Sequence, residues 1–132
     1  VNLGGDMLGG AQPVAFLAIT DVERAKAFYG DVLGLRLISD DPFALVFDLA
    51  GVSLRLQKLR EFLPHSFTSL GWQVDDATAV IVALRARGVE FERYGFIEQD
   101  ADGLWTAPGG TRVAWFKDPD GNLLSLTQHA AG

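Results

Sequence analysis

Two histidines, His65 and His129, are the side chains here whose ordinary proton exchange falls near neutral pH, and no cysteine accompanies them. His65 follows Pro64 in a stretch that reads as a loop, and His129 falls in the C-terminal tail. Neither has a second ligand-type residue at a metal-binding spacing, so both are expected as solvated surface residues. The lack of cysteine removes thiol nucleophiles, disulfides and Cys-ligated zinc, and suits a reducing compartment. No G-x-S-x-G turn offers a serine nucleophile, and neither a P-loop nor a dinucleotide fingerprint is present, so the catalytic residues, if any, are unknown. The sharpest single residue is Arg55, set between Leu54 and Leu56 with Ser53 and Gln57 beyond them. Its planar fork suits a carboxylate, a phosphate or a planar acid of a ligand. The plainer alternative is a pair with one of the 17 Asp and Glu residues.

Those groups need a scaffold. A chain of 132 residues suffices for one domain that buries about two-thirds of the surface its unfolded form exposes. Hydrophobic residues at 48% and charged residues at 21% are ordinary globular values, which excludes a disordered or collagen-like chain. A net charge of −6 without any basic run repels phosphate backbones and anionic lipid, so no nucleic-acid and no membrane partner is expected. No stretch reaches the ~18 apolar residues of a membrane span. Residues 1–13 lack the charged and apolar regions of a signal peptide and read as a loose, Gly-rich arm. The expected location is cytoplasmic.

Local patterns then place the elements. Residues 14–19 are a β-branched apolar run, hence a strand; Thr20 or Asp21 caps a helix whose apolar residues recur every three and four positions up to Leu33. Gly34 ends that helix, and strands follow at 35–39, 44–49 and 52–59. The same order restarts: a strand at 67–74, a cap at Asp75 or Asp76, and a helix to Arg87 stopped by Gly88. Further strands are predicted at 89–97, near Trp105, at 112–117 and at 123–127, with a tight turn from Asp118 to Asn122. Asp21 matches Asp76, and Leu54-Arg55-Leu56 matches Leu124-Ser125-Leu126, so the chain contains an internal duplication. The sequence predicts an α+β fold of two βαβββ modules, about 14–59 and 67–128, within a single domain of residues 14–128.

The runs Ile19-Thr20-Asp21-Val22-Glu23-Arg24-Ala25-Lys26-Ala27-Phe28-Tyr29, Asp31-Val32-Leu33-Gly34-Leu35, Val74-Asp75-Asp76, Leu84-Arg85-Ala86-Arg87-Gly88-Val89 and Phe116-Lys117-Asp118-Pro119-Asp120-Gly121-Asn122 carry a family likeness. Over residues 14–128 the chain resembles the vicinal oxygen chelate superfamily, which includes glyoxalase I, bleomycin- and fosfomycin-resistance proteins and extradiol dioxygenases. The resemblance implies that the two sheets curve into an incompletely closed β-barrel, a cup that holds the ligand, with the helices outside. It also implies four inward positions that carry metal ligands in the metal-using members. Here those positions fall on Val14, Arg55, Ser69 and Ser125. Val14 has no lone pair and Arg55 is a permanent cation, so the set opposes a divalent metal. No metal and no cofactor is expected.

With that parity, strand alternation lines the cup with Val14, Phe16, Ser53, Arg55, Gln57, Ser69, Gln73, Ser125 and Thr127. Trp105, beside the irregular acidic stretch 98–103, is placed to close over a flat ligand. Trp72 and Trp115 are expected in the core, Phe28 and Tyr29 as helix packing, and Tyr94 and Phe96 on either side. A few polar groups on apolar surface make a small-molecule pocket. The leading expectation is a metal-free protein that binds a small organic molecule, acidic or aromatic. The alternatives are a metal-dependent glyoxalase-like lyase or dioxygenase with displaced ligands, and an interaction module whose cup its own side chains fill. Uncovered edge strands make a homodimer the expected assembly, with modules paired within one chain or exchanged across the dimer.

Overall fold

The computed structural model describes residues 7–131. The chain divides into two compact units, residues 1–60 and 61–132. The first unit runs β1 (Val14–Ile19), α1 (Val22–Lys26) continuing as a π-helical turn (Ala27–Val32), β2 (Arg36–Asp40), β3 (Ala44–Leu49) and β4 (Val52–Lys58). The second runs β5 (Thr68–Gln73), α2 (Ala77–Ala86), β6 (Trp105–Thr106), β7 (Arg112–Lys117) and β8 (Leu123–Gln128). Strand order is β1-β4-β3-β2 in one sheet and β5-β8-β7-β6 in the other. In each, the first strand lies parallel to the last and the remaining pairs are antiparallel. The fold is α+β, two βαβββ-like modules with four-stranded mixed sheets, as the internal duplication predicts.

The duplication extends to atomic detail at the helix starts. Asp21 and Asp76 are the N-caps, and their carboxylates accept from the N–H of Arg24 and Ala79, each at 3.0 Å. Each cap satisfies a backbone donor that the helix itself leaves free. Asp76→Ala should therefore lower the unfolding free energy by about 1 kcal/mol, and Asp76→Ser by only a few tenths, in urea denaturation followed by circular dichroism.

Alternation along the strands sets the cores. In the first unit Leu17, Ile19, Leu45, Phe47, Leu54 and Leu56 are buried on one face, and the widened turn brings fully buried Tyr29 within 6.0 Å of Phe47. In the second unit Ala114, Phe116, Leu124 and Leu126 are buried on the face that meets α2, with Ile81 and Leu84 of that helix buried too. Gly88, at φ +94°, supplies the left-handed turn that ends the helical segment.

Three local expectations need correction. Residues 89–97 form no strand; within them Phe91 alone makes a β-bridge, to Phe116. The Glu92 N–H donates to the Trp115 carbonyl at 2.8 Å, and the Gln99 side chain of the following loop serves the Tyr94 N–H and the Glu92 carbonyl in place of a neighbouring strand. A register shift between Thr68 and Leu70 sets Thr68 opposite Leu123 and leaves Ser69 outside the pairing. The third concerns Trp115 and is taken up with the site. Residues 1–6 of the expected arm lie outside the described residues; Met7–Gly10 form a short 3-10 turn, and Gln12 Nε2 donates to the Gly51 carbonyl at 2.7 Å. No helix among the described residues is long and apolar enough to cross a membrane.

Candidate functional site

Each sheet has one face turned away from its own helix. On that face of the first sheet, β1 and β4 pair Val14 with Ser53, Phe16 with Arg55 and Ala18 with Gln57. Val14 and Phe16 are 47% and 54% exposed, Ser53 and Gln57 are exposed, and Arg55 is half-buried. Neighbouring cations are committed: Lys58 donates to Asp40 and to the Asp41 carbonyl, each at 2.6 Å, and Lys26 reaches Asp40 at 2.8 Å. The two lysines, Lys26 first, hold the Asp40 carboxyl below its ordinary range. The Arg55 guanidinium makes no ion pair or hydrogen bond among the described residues. Its charge adds a small downward push to the Asp41 carboxyl, which is lowered mainly by the N–H groups of Phe43 and Ala44 at 2.8 and 2.9 Å. Arg55 is thus a half-desolvated cation with spare donors.

On the corresponding face of the second sheet, Gly71 and Trp115 flank Ser125, Gln73 and Val113 flank Thr127, and Trp105 pairs with Val113. Ser125 is buried, and its Oγ occupies the space that a Cβ at Gly71 would need. Beside Trp115 lies a cavity of about 450 Å³ lined by Ser66, Phe67, Thr68, Tyr94, Phe96, Ile97, Trp105, Trp115 and Leu123. Its rings are mutually oriented: Tyr94 stands edge-on to Trp115 at 5.5 Å, Trp105 lies 6.2 Å from Trp115, and Phe96 lies 5.5 Å from Tyr94. Phe96 and Phe67 remain 83% and 62% exposed despite their size. No Asp, Glu, Lys, Arg or His lines this cavity.

The polar edges of these rings are uncommitted. The indole N–H groups of Trp105 and Trp115 and the Tyr94 hydroxyl have no hydrogen-bond partner among the described residues. Desolvation, with a smaller contribution from Glu92 and partial opposition from Lys117, pushes the Tyr94 phenol above its ordinary value. Tyr94 therefore stays a neutral O–H donor at physiological pH. Flat apolar walls with donors at their edges suit a planar molecule carrying carbonyl or ether acceptors.

Of the ten residues singled out from sequence, Trp105 alone lines this cavity. Val14, Phe16, Ser53, Arg55 and Gln57 share the open face of the first sheet; Gln73, Ser125 and Thr127 share that of the second. Ser69 sits at the β5 bulge, and Thr68 takes the place beside Leu123. Trp115, expected in the core, is on the open face because Ala114 and Phe116 on either side are the buried residues of β7. The same alternation applied to β8 would have found it. Trp72, by contrast, stacks on Phe116 at 6.3 Å on the covered side. His65 is exposed and stacks on Phe67 at 4.7 Å, and His129 is exposed.

The donor set does not fit a divalent metal. Val14 offers no lone pair, Arg55 is cationic, and Ser69 and Ser125 are neutral hydroxyls. Among the described residues no three of His, Cys, Asp and Glu form a group able to hold a metal ion.

The family described as Glyoxalase/Bleomycin resistance protein/Dioxygenase superfamily matches residues 11–126. Among solved structures, TnmS3, an antibiotic binding protein from Streptomyces sp. CB03234, is 28% identical with a TM-score of 0.67, over 92% of this chain and 98% of that one. The fosfomycin resistance protein FosX from Listeria monocytogenes shares the fold at a TM-score of 0.71 and 16% identity, over 92% and 94%. Lactoylglutathione lyase from Agrobacterium tumefaciens does so at 0.68 and 19%, over 90% and 93%. A family match across most of the chain, on two copies of the same βαβββ-like module, leaves one assignment: the chain belongs to the glyoxalase/bleomycin resistance protein/dioxygenase superfamily.

Proposed function

We propose that the protein binds a small, flat organic molecule in the aromatic cavity of its second unit, and that binding is its function. The observation that carries this is the grouping of Tyr94, Phe96, Trp105 and Trp115 around one open cavity without a charged residue. The 28% identity to TnmS3, an antibiotic binding protein, supports it. A metal-dependent lyase or dioxygenase finds no support in the donor set at Val14, Arg55, Ser69 and Ser125. Acridone, a neutral tricyclic with one carbonyl, is a suitable probe. It should quench the tryptophan fluorescence and saturate at one molecule per chain, with the same affinity and the same melting temperature before and after EDTA treatment. A melting temperature that falls after EDTA and returns with one divalent metal would overturn the metal-free assignment.

The open face of the first sheet, with Val14, Phe16, Ser53, Arg55 and Gln57, forms a second part of the proposal. There Arg55 takes the anionic group of an acidic ligand. With salicylate as probe, Arg55→Ala should cost about tenfold in affinity by calorimetry, the low end for a charge-assisted contact, because Arg55 is only half-buried. Arg55→Lys should recover part of that, and acridone binding should be unaffected by either change. Gln73, Ser125 and Thr127 belong to the proposed ligand-facing surface of the second sheet, and Ser69 borders it at the β5 bulge. We also propose a homodimer, because β2 is an edge strand with all five residues exposed, Leu37 and Ile38 among them. Light scattering of the eluted protein at a single-chain mass would rule that out.

A further inference from the structure

Trp105 and Trp115 stand on strands, but Tyr94 and Phe96 on the same wall belong to no strand, and something else must hold them. Between α1 with its π-helical turn and β2 the first unit spends residues 33–35, whereas between α2 and β6 the second spends residues 87–104. The second unit therefore has a longer loop here, and that loop carries Tyr94, Phe96 and Ile97. Its outgoing and returning arms meet on one side chain. Gln99 Oε1 accepts from the Tyr94 N–H at 2.8 Å, and Gln99 Nε2 donates to the carbonyls of Glu92 at 3.0 Å and Gly103 at 2.8 Å. The far end of the loop is closed separately: the Arg93 guanidinium donates to the carbonyls of Asp100 and Ala101 at 2.5 and 2.6 Å. The Asp100 carboxylate accepts from the N–H groups of Asp102 and Leu104 at 2.9 and 3.0 Å and pairs with Arg112 at 3.1 Å.

We propose that Gln99 is a positioning residue of the binding site: its carboxamide latches the loop so that Tyr94 and Phe96 stand ready beside Trp105 and Trp115. This rests on the aromatic cavity being the ligand site. A wall held in place before the ligand arrives spares the ligand the entropy of ordering it, which raises affinity without any contact between Gln99 and the ligand. The amide is suited to this as no carboxylate is, because two of its three bonds are donated and a carboxylate only accepts.

The test uses the full chain, Gln99→Met and Gln99→Glu, with two independent readouts. Hydrogen exchange of the Tyr94 amide reads the latch, and acridone affinity reads the site. In Gln99→Met the Tyr94 amide should exchange about tenfold faster and acridone affinity should fall about tenfold, equivalent to about 1.4 kcal/mol. Gln99→Glu keeps an acceptor for the Tyr94 N–H but cannot donate to the Glu92 and Gly103 carbonyls, so it too should lose affinity at pH 7. It should then regain affinity relative to the unchanged chain as the pH falls toward the ordinary glutamate value of about 4.3, where the protonated carboxyl again has a donor. A residue that merely filled space would show no such pH-dependent rescue. Unchanged Tyr94 exchange in Gln99→Met sinks the latch whatever acridone does. Faster exchange with unchanged affinity, or a Gln99→Glu affinity flat with pH, sinks the positioning role. If the unchanged chain fails to bind acridone, the site assignment falls and this role with it, while the exchange data still report on the loop. Should Gln99→Met fail to fold, the pH series of Gln99→Glu decides alone.

Discussion

Trp115→Ala should weaken acridone binding by about a hundredfold, the largest single effect expected on function. Trp115 is the ring to which the others are oriented: Tyr94 stands edge-on to it at 5.5 Å and Trp105 faces it at 6.2 Å. Truncating it removes a flat contact surface and withdraws support from both neighbours. Central aromatic anchors of this kind cost about 2–4 kcal/mol on truncation, which brackets two powers of ten. Trp115→Phe keeps a ring but loses area and the indole N–H, so about tenfold is expected. Trp72→Phe is the matched control: it stacks on Phe116 on the helix-covered face, so it should lower stability and leave affinity alone. Calorimetry is the appropriate measurement, because the fluorescence signal itself changes when a tryptophan is removed. Equal affinities for Trp115→Ala and the unchanged chain would remove this cavity from consideration as the ligand site.

Trp115 stands on the open face although its sequence reads as core, and the reason lies in its neighbours. Alternation works where a polar residue stands between apolar neighbours and one face is covered, as with Arg55 between Leu54 and Leu56. In β7 the run Val113-Ala114-Trp115-Phe116 is apolar throughout, so composition does not separate the faces and the small Ala114, not the large Trp115, takes the buried place. Helix caps are legible to within one residue, at Thr20 or Asp21 and at Asp75 or Asp76, because a cap depends on a local oxygen and the three residues after it. The loop from 89 to 104 is not, because its order comes from side chains of Gln99, Arg93 and Asp100 reaching backbone groups. Such bonds have no periodicity. The β5 bulge is illegible for a related reason: one unpaired residue, Ser69, breaks the strand's alternation.

Asp118→Ala should cost about 3 kcal/mol of stability, the largest loss expected from a single polar side chain in this protein. Asp118 is 5% exposed and Asn122 2%, and the two close the turn between β7 and β8. Asp118 Oδ1 accepts from the N–H groups of Asp120 and Asn122, each at 2.9 Å, and Oδ2 accepts from Asn122 Nδ2 at 2.8 Å. Alanine would abolish all three and leave the Asn122 donors desolvated without these acceptors. Hydrogen bonds to a charged group contribute about 1.5–3 kcal/mol, and each stranded buried donor costs about 1–3 kcal/mol, with overlap between the two sums. For a domain of this size that corresponds to a fall in melting temperature of roughly 10 °C. Asp118→Asn retains one carbonyl oxygen for the two backbone donors but sets an N–H₂ group in the second position, so about half the loss is expected. The duplication supplies the contrast. At the equivalent turn of the first unit, Asp48 accepts from the Gly51 N–H at 3.1 Å in an exposed setting, so water can replace its carboxylate and Asp48→Ala should cost less than about 1 kcal/mol. Equal losses at the two turns in urea denaturation would show that burial of the Asp118 network is not what makes its turn the more costly to break.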